Sequence, residues 1–90
     1  MDIIFEKQFV KDTEVCKTRG YNMDLLKKAI VILQRKGILP ASYKTHILKG
    51  TKYKNKNIID SHLDDDWVLI YKSQANRVFL IRTGTHSDLF

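Results

Sequence analysis

Three histidines, His46, His62 and His86, all lie in the second half of this 90-residue chain, each in a polar neighbourhood. His62 stands at the end of the run Ile58-Ile59-Asp60-Ser61, and His86 follows Arg77-Val78-Phe79-Leu80-Ile81-Arg82-Thr83-Gly84-Thr85. Taken singly, each reads as an ordinary surface or hydrogen-bonded histidine. Taken with Asp66 and Arg82, they form the set that metal-free RNA cleavage requires. That reaction needs a base for the ribose 2′-OH, an acid for the departing 5′ oxygen, and a cation for the charge on the phosphate oxygens. An imidazole with an ordinary pKa of about 6.5 can do either proton job near neutrality. A guanidinium suits the non-bridging oxygens. The candidate catalytic residues are therefore His46, His62, Asp66 and His86, with Arg82 as the candidate phosphate ligand.

Other chemistries fit less well. From His46 to His62 is 16 residues and from His62 to His86 is 24, with no His-x-x-x-His or Cys pair, so no metal and no other cofactor is expected. No glycine-rich phosphate loop is present. The single cysteine, Cys16, has no histidine near it in sequence, which makes a Cys–His hydrolase a weak reading. One cysteine also allows no disulfide framework, so a reducing, cytoplasmic location is expected. The start Met-Asp-Ile-Ile-Phe lacks a signal pattern, and the apolar runs 29–33 and 67–71 are too short to span a bilayer. No membrane partner is expected.

The formal charge of +6 favours an anionic partner, nucleic acid before an acidic protein or a membrane surface. Much of it is local. Lys44, Lys49, Lys52, Lys54 and Lys56 fall within residues 44–56 with no acid among them, and Tyr43, His46 and Tyr53 are interleaved. Any one of these lysines is ordinary surface. As a group they suit a phosphate backbone, with aromatic rings to stack on unpaired bases. Lys49, Lys52 and Lys54 are accordingly candidate RNA contacts.

The elements that must position these residues follow from periodicity. Ile3, Ile4 and Phe5 predict a short strand, and residues 7–18 a polar helix stopped by Gly20. Asn22 caps a second helix whose apolar face is Leu25, Leu26, Ala29, Ile30, Ile32 and Leu33, ended by Gly37 and Pro40. Residues 41–57 read as a loop or ragged strand. Strands at 58–63, 67–72 and 77–83 follow, joined by turns at Asp64-Asp65, with or without Asp66, and at 73–76. Ile58, Val68, Ile70, Phe79 and Ile81 are the expected core positions beneath the helices. The whole, residues 1–90, is one α+β domain of order β-α-α-β-β-β, a helical hairpin packed on a small, mainly antiparallel sheet. If the last strand runs on, Arg82, Gly84 and His86 share a face. The register of His62 stays open: a two-residue turn at Asp64-Asp65 sets it opposite Trp67, and a three-residue turn shifts it by one.

The motif His46-x-Leu48-x-Gly50, then His62-x-x-x-Asp66-Trp67-Val68-Leu69-Ile70-Tyr71-Lys72, then Arg82-Thr83-Gly84-Thr85-His86-Ser87-Asp88-Leu89-Phe90, resembles the YafQ-like branch of the RelE/ParE toxin superfamily. The likeness covers essentially the whole chain. It implies a RelE-like fold and the toxin of a bacterial type II toxin–antitoxin pair. Such a toxin is an endoribonuclease that cuts mRNA, typically on the ribosome, inhibits translation, and is neutralised by a cognate antitoxin. It implies an active site of His46, His62, Asp66, His86 and Phe90, with Trp67 beside them as an RNA contact, Phe90 stacking on a base and Arg82 steadying the phosphate. Residues 49–56 are longer and richer in lysine than the branch's pattern, which suits contact with free RNA as well. Two other readings stand beside this one. One is a non-catalytic, ParE-like toxin that binds a protein target, which has no need of the histidines. The other is a basic RNA-binding module that leaves RNA whole.

Overall fold

The structure, a computed structural model, describes residues 1–48 and 57–90. Its elements are β1 (Asp2–Phe5), α1 (Lys7–Thr18), α2 (Met23–Lys36), a single 3-10 turn (Ala41–Tyr43), β2 (His46–Ile47), β3 (Ile58–Asp64), β4 (Trp67–Gln74), β5 (Arg77–Gly84) and α3 (His86–Leu89). The five strands form one sheet in the order β1-β5-β4-β3-β2. β1 runs parallel to β5 and every other neighbouring pair is antiparallel. The expected α+β architecture is present, with β2 and α3 added to it. No helix among the described residues is long and apolar enough to cross a membrane.

Local chemistry accounts for the helix ends. The Asn22 side chain accepts a hydrogen bond from the backbone N–H of Asp24 and so caps α2. At the far end Gly37 takes a φ of 73° and donates to the Leu33 carbonyl, a left-handed cap that glycine adopts without strain. A side chain there would also strike Met1, whose Cε lies 2.6 Å from the place of a Cβ. β4 and β5 are joined by Ala75 and Asn76, both at positive φ, as a two-residue type I′ turn requires.

Both faces of the sheet are covered, and this overturns the expected core. Under α1 and α2 lie Leu63, Trp67, Leu69, Tyr71, Val78 and Leu80, packed on Phe9, Cys16, Leu26, Ala29 and Leu33. Ile58, Val68 and Ile70 are buried, but in a second cluster with Leu89, flanked by Leu48 and Ile81. By strand alternation that cluster is on the face away from α1 and α2. Phe79 is only partly buried and lies beneath the Lys72 ammonium, 5.8 Å from it. The reason is in β4: Trp67, Val68, Leu69, Ile70 and Tyr71 are all buried, so the sequence shows no alternation from which to read the helix side.

Two register shifts sit near the end of the sheet that carries the histidines. His62 pairs with Val68 while Asp64 pairs with Trp67, leaving Leu63 as an extra residue in β3. Leu80 pairs with Tyr71 while Arg82 pairs with Ile70, leaving Ile81 extra in β5. Such bulges re-aim the side chains that follow them.

Candidate active site

β5 stops at Gly84, and Thr85 turns the chain into the short helix α3. Thr85 Oγ1 accepts from the Asp88 N–H at 3.1 Å, and Asp88 Oδ2 accepts from the Thr85 N–H at 2.9 Å. This reciprocal capping box satisfies two otherwise orphaned donors. Gly84 makes room for it, since a Cβ there would lie 2.9 Å from Asp88 Oδ2. Asp88 is gripped in turn by Arg19, at the end of α1, through Nη1–Oδ2 at 2.6 Å and Nη2–Oδ1 at 3.2 Å. The Arg19 guanidinium, with the Thr85 N–H, holds the Asp88 carboxyl well below the usual carboxylate range. On the other side Leu89 is fully buried in the outer cluster. A helix this short does not hold itself together. Here a polar clamp and an apolar anchor fix it, and with it His86 and Phe90.

Asp65 and Asp66 form the two-residue turn between β3 and β4, one position later than expected. Asp66 Oδ1 accepts from His86 Nδ1 at 2.7 Å and from the His86 backbone N–H at 3.2 Å. An ionised carboxylate only accepts, so this partner assigns the proton to Nδ1 and leaves Nε2 as the atom able to exchange one. The bonds from His86 also keep the Asp66 carboxyl below its ordinary value. The turn at Asp65-Asp66 and the bulge at Leu63 together set His62 opposite Val68, the second of the two registers left open, with its ring centroid 5.3 Å from that of His86. The Phe90 ring follows at 6.0 Å from His86 and is half exposed. His62, Asp66, His86 and Phe90 are thus one cluster.

The other expected residues divide. His46 lies on β2 directly opposite Asp60 of β3, its Nδ1 3.6 Å from Asp60 Oδ1. Asp60 and His62 are two apart on one strand and share a face, so His46 lies in the row that leads to His62. Arg82 does not share a strand face with His86, because β5 bulges at Ile81 and ends before Thr85. Its guanidinium is directed to α1, with Nε donating to Asp12 Oδ2 at 2.7 Å and Nη2 to Oδ1 at 3.3 Å. Asp12 is buried and also accepts from the Thr83 N–H at 3.1 Å.

Trp67 is a correction. It is 3% exposed, its Nε1 donates to Thr83 Oγ1 at 2.8 Å, and its ring packs edge-on to Tyr21. It supports the site from beneath and presents no face on which a base could stack. Lys49, Lys52 and Lys54 lie outside the described residues. Cys16 is buried, and burial pushes its thiol up, away from a nucleophile. Among the described residues no three His, Cys, Asp or Glu side chains are grouped to hold a metal.

Asp12, Arg19, Thr85 and Asp88 were not legible as site supports. The pair Thr85-x-x-Asp88 is a capping-box signature and could have revealed α3. Asp12 and Arg19 act on partners about seventy positions away, and nothing local marks them.

The family model for the bacterial toxin of the type II toxin–antitoxin system, YafQ, matches residues 1–90. The mRNA interferase toxin YafQ of Escherichia coli K12 is 38% identical over 90 residues, which is 99% of this chain and 95% of that protein. The crystal structure of YafQ from E. coli BL21(DE3) superposes with a TM-score of 0.87 at 37% identity, covering 99% of this chain and 97% of that one. YafQ in the E. coli DinJ–YafQ complex gives 0.86 at 38% identity with the same coverage. The chain belongs to the YafQ family of bacterial type II toxin–antitoxin toxins.

Proposed function

We propose the chemistry by which this toxin, an mRNA interferase by its family, cuts RNA: metal-independent acid–base catalysis with the ribose 2′-OH as nucleophile. The observation that carries this reading is the contact between His86, oriented by Asp66 at 2.7 Å, and the His62 ring 5.3 Å away. Two imidazoles side by side can serve the two proton transfers of one phosphodiester. One takes the 2′-OH proton as the 2′-O–P bond forms. The other gives a proton to the 5′ oxygen as the P–O5′ bond breaks. The products are a 2′,3′-cyclic phosphate and a 5′-hydroxyl, and no water is consumed.

Asp66 holds His86 in one tautomer and steadies its imidazolium, as a carboxylate does wherever it orients a catalytic histidine. His46 joins the proton transfers from β2. Phe90, half exposed beside His86, stacks on a base next to the cut. Arg82, oriented by Asp12, meets the phosphate oxygens, and Lys49, Lys52 and Lys54 hold the backbone. The substrate is mRNA on the ribosome, and a cognate antitoxin silences the toxin, as DinJ forms a complex with YafQ in E. coli. A partner for so basic a surface is expected to be acidic where it covers the site.

The deciding measurement is the chemistry of the cut ends. RNA treated with the toxin in excess EDTA should carry 2′,3′-cyclic phosphates. A 3′-hydroxyl, or loss of cutting with EDTA, would overturn the mechanism. Mapping cuts on translated and on free RNA tests the ribosome requirement.

A further inference from the structure

Asp60 is the one described residue with a fully buried side-chain oxygen or nitrogen that lacks a hydrogen-bond partner: nothing bonds its Oδ1. The residue is 8% exposed and sits in the middle of β3. A carboxylate taken out of water without a donor is costly, and folds keep such a group only where something meets it. Among the described residues its surroundings leave few candidates. Along β3 its neighbours on the same face are Ile58 and His62, and across β4 it faces Ile70, which is fully buried and has no side-chain donor. Across β2 it faces His46.

His46 Nδ1 stands 3.6 Å from Asp60 Oδ1, just beyond hydrogen-bonding range. The imidazole is 68% exposed, on a strand of two residues. A shift of the ring of roughly 0.5–1 Å closes the gap to an ordinary bond. The finished version of this arrangement is already in the molecule, where Asp66 accepts from His86 Nδ1 at 2.7 Å. Both pairs offer the same ring nitrogen to the carboxylate; Asp60 stands two residues before His62 on β3, and the His86 ring lies 5.3 Å from that of His62.

We propose that Asp60 is a positioning residue for His46, closing onto its Nδ1 when RNA occupies the site, so that Nε2 is turned to the substrate. The inference rests on the reading of His46 as catalytic. The Asp60 oxygen that faces His46, Oδ1, is closed off from solvent, so it is placed to meet the imidazole and not the substrate. It acts by choosing the tautomer and direction of the imidazole, in the way outer carboxylates orient histidines elsewhere. His62 then works between two carboxylate-directed imidazoles, one set before RNA arrives and one set by its arrival.

The test is a double-mutant cycle in single-turnover cleavage with wild type, Asp60→Asn, His46→Ala and the double variant. Asp60→Asn keeps the shape and should lower the maximal rate about tenfold or more, with KM changed by less than about twofold. On the His46→Ala background the same change should cost nothing further. An equal loss on both backgrounds would mean that Asp60 acts only through the fold, and would overturn the proposal. If His46→Ala cuts like wild type, the catalytic reading of His46 fails and takes this inference with it. If His46→Ala is impaired but Asp60→Asn is not, only the positioning role fails. A second readout needs no Asp60 variant. Long-range proton–nitrogen spectra of wild type bound to RNA carrying a 2′-deoxy nucleotide at the cut should show the His46 proton on Nδ1. A neutral ring protonated at Nε2 would overturn the proposal.

Discussion

The molecule carries two histidine–aspartate pairs, and they are built differently. His86 and Asp66 meet at 2.7 Å, and His86 also gives its backbone N–H to the same oxygen. Behind them stand a capping box, the Arg19 clamp and the buried Leu89. His46 and Asp60 stop at 3.6 Å, on a strand of two residues, with the Asp60 oxygen left unpaired. What differs is the support: His86 is anchored from three sides and His46 from one. A geometry held before the substrate arrives lowers the cost of reaching the transition state, whereas one completed by the substrate makes binding part of catalysis. On the proposed mechanism the site therefore combines a standing acid–base group with an adjustable one.

If that contrast is right, the heaviest loss comes from the standing pair. His86→Ala or His62→Ala should lower RNA cleavage by roughly 10²- to 10⁴-fold, the usual worth of a proton-transfer group. Neither ring is buried in the core, so thermal melting should change little. Single-turnover rates beside melting curves check this. Wild-type cutting by both variants would remove the cluster from the mechanism.

Asp66→Asn is the next step down, at about 10- to 100-fold. The amide keeps the shape but cannot hold the charge of an imidazolium, and its donor end can turn toward Nδ1 and favour the wrong tautomer. Rates for Asp66→Asn and Asp60→Asn, measured side by side, sharpen the comparison. The change at the tight pair should reduce cutting of a short free RNA more than the change at the loose one. The reverse order would mean that the loose pair is the one that works.

The contrast also explains what could be read from the sequence. The helices were legible because their signals are local: Asn22 caps α2, Gly37 ends it, and Gly20 follows α1. The three C-terminal strands were legible from their apolar runs and turns. Which side of the sheet faced the helices was not, because a strand buried on both faces loses its alternation, and a bulge at Ile81 reverses parity without leaving a mark. His62, Asp66 and His86, picked out by type, do converge in space. Their supports were hidden. Arg19 meets Asp88 from 69 positions away and Asp12 meets Arg82 from 70, distances over which sequence carries no pattern. Trp67 shows the opposite error: its place beside Asp66 suggested contact with RNA, and alternation sends it inward to Thr83 and Tyr21.

Phe90 tests whether the standing pair also helps to seat the substrate. Removing it takes away a half-exposed ring 6.0 Å from His86 and little buried surface. Base stacking on an aromatic ring contributes about 1–3 kcal/mol, so KM should rise roughly 5- to 100-fold at most while the maximal rate changes little. Melting should stay near that of wild type. A fall in maximal rate with KM unchanged would instead make Phe90 part of the orientation of His86.

The smallest effect is also the most direct attack on the difference between the pairs. Arg19→Ala removes the clamp on Asp88 and leaves α3 held by its capping box and Leu89. The pair is partly exposed, at 40% and 31% of the two side chains, so its contribution to stability is small, about 1 kcal/mol or less. Cleavage should fall only a few-fold, because Asp66 still directs His86. Acid sensitivity is the sharper readout. Asp88 has a folded pKa below its unfolded value, with Arg19 the main cause. Its contribution to stability is therefore complete above the unfolded value of about 4 and is lost as pH falls through the folded one. Without Arg19 the folded pKa rises toward the unfolded value, so the Asp88 contribution is smaller at neutral pH and less of it is left to lose in acid. Unfolding free energies from denaturant titrations followed by Trp67 fluorescence should thus differ most between wild type and Arg19→Ala near neutrality and converge as pH falls well below about 4. Equal stabilities at neutral pH would show that Leu89 and the capping box alone hold α3. His86 would then owe its fixed position to Asp66 and not to the end of α1.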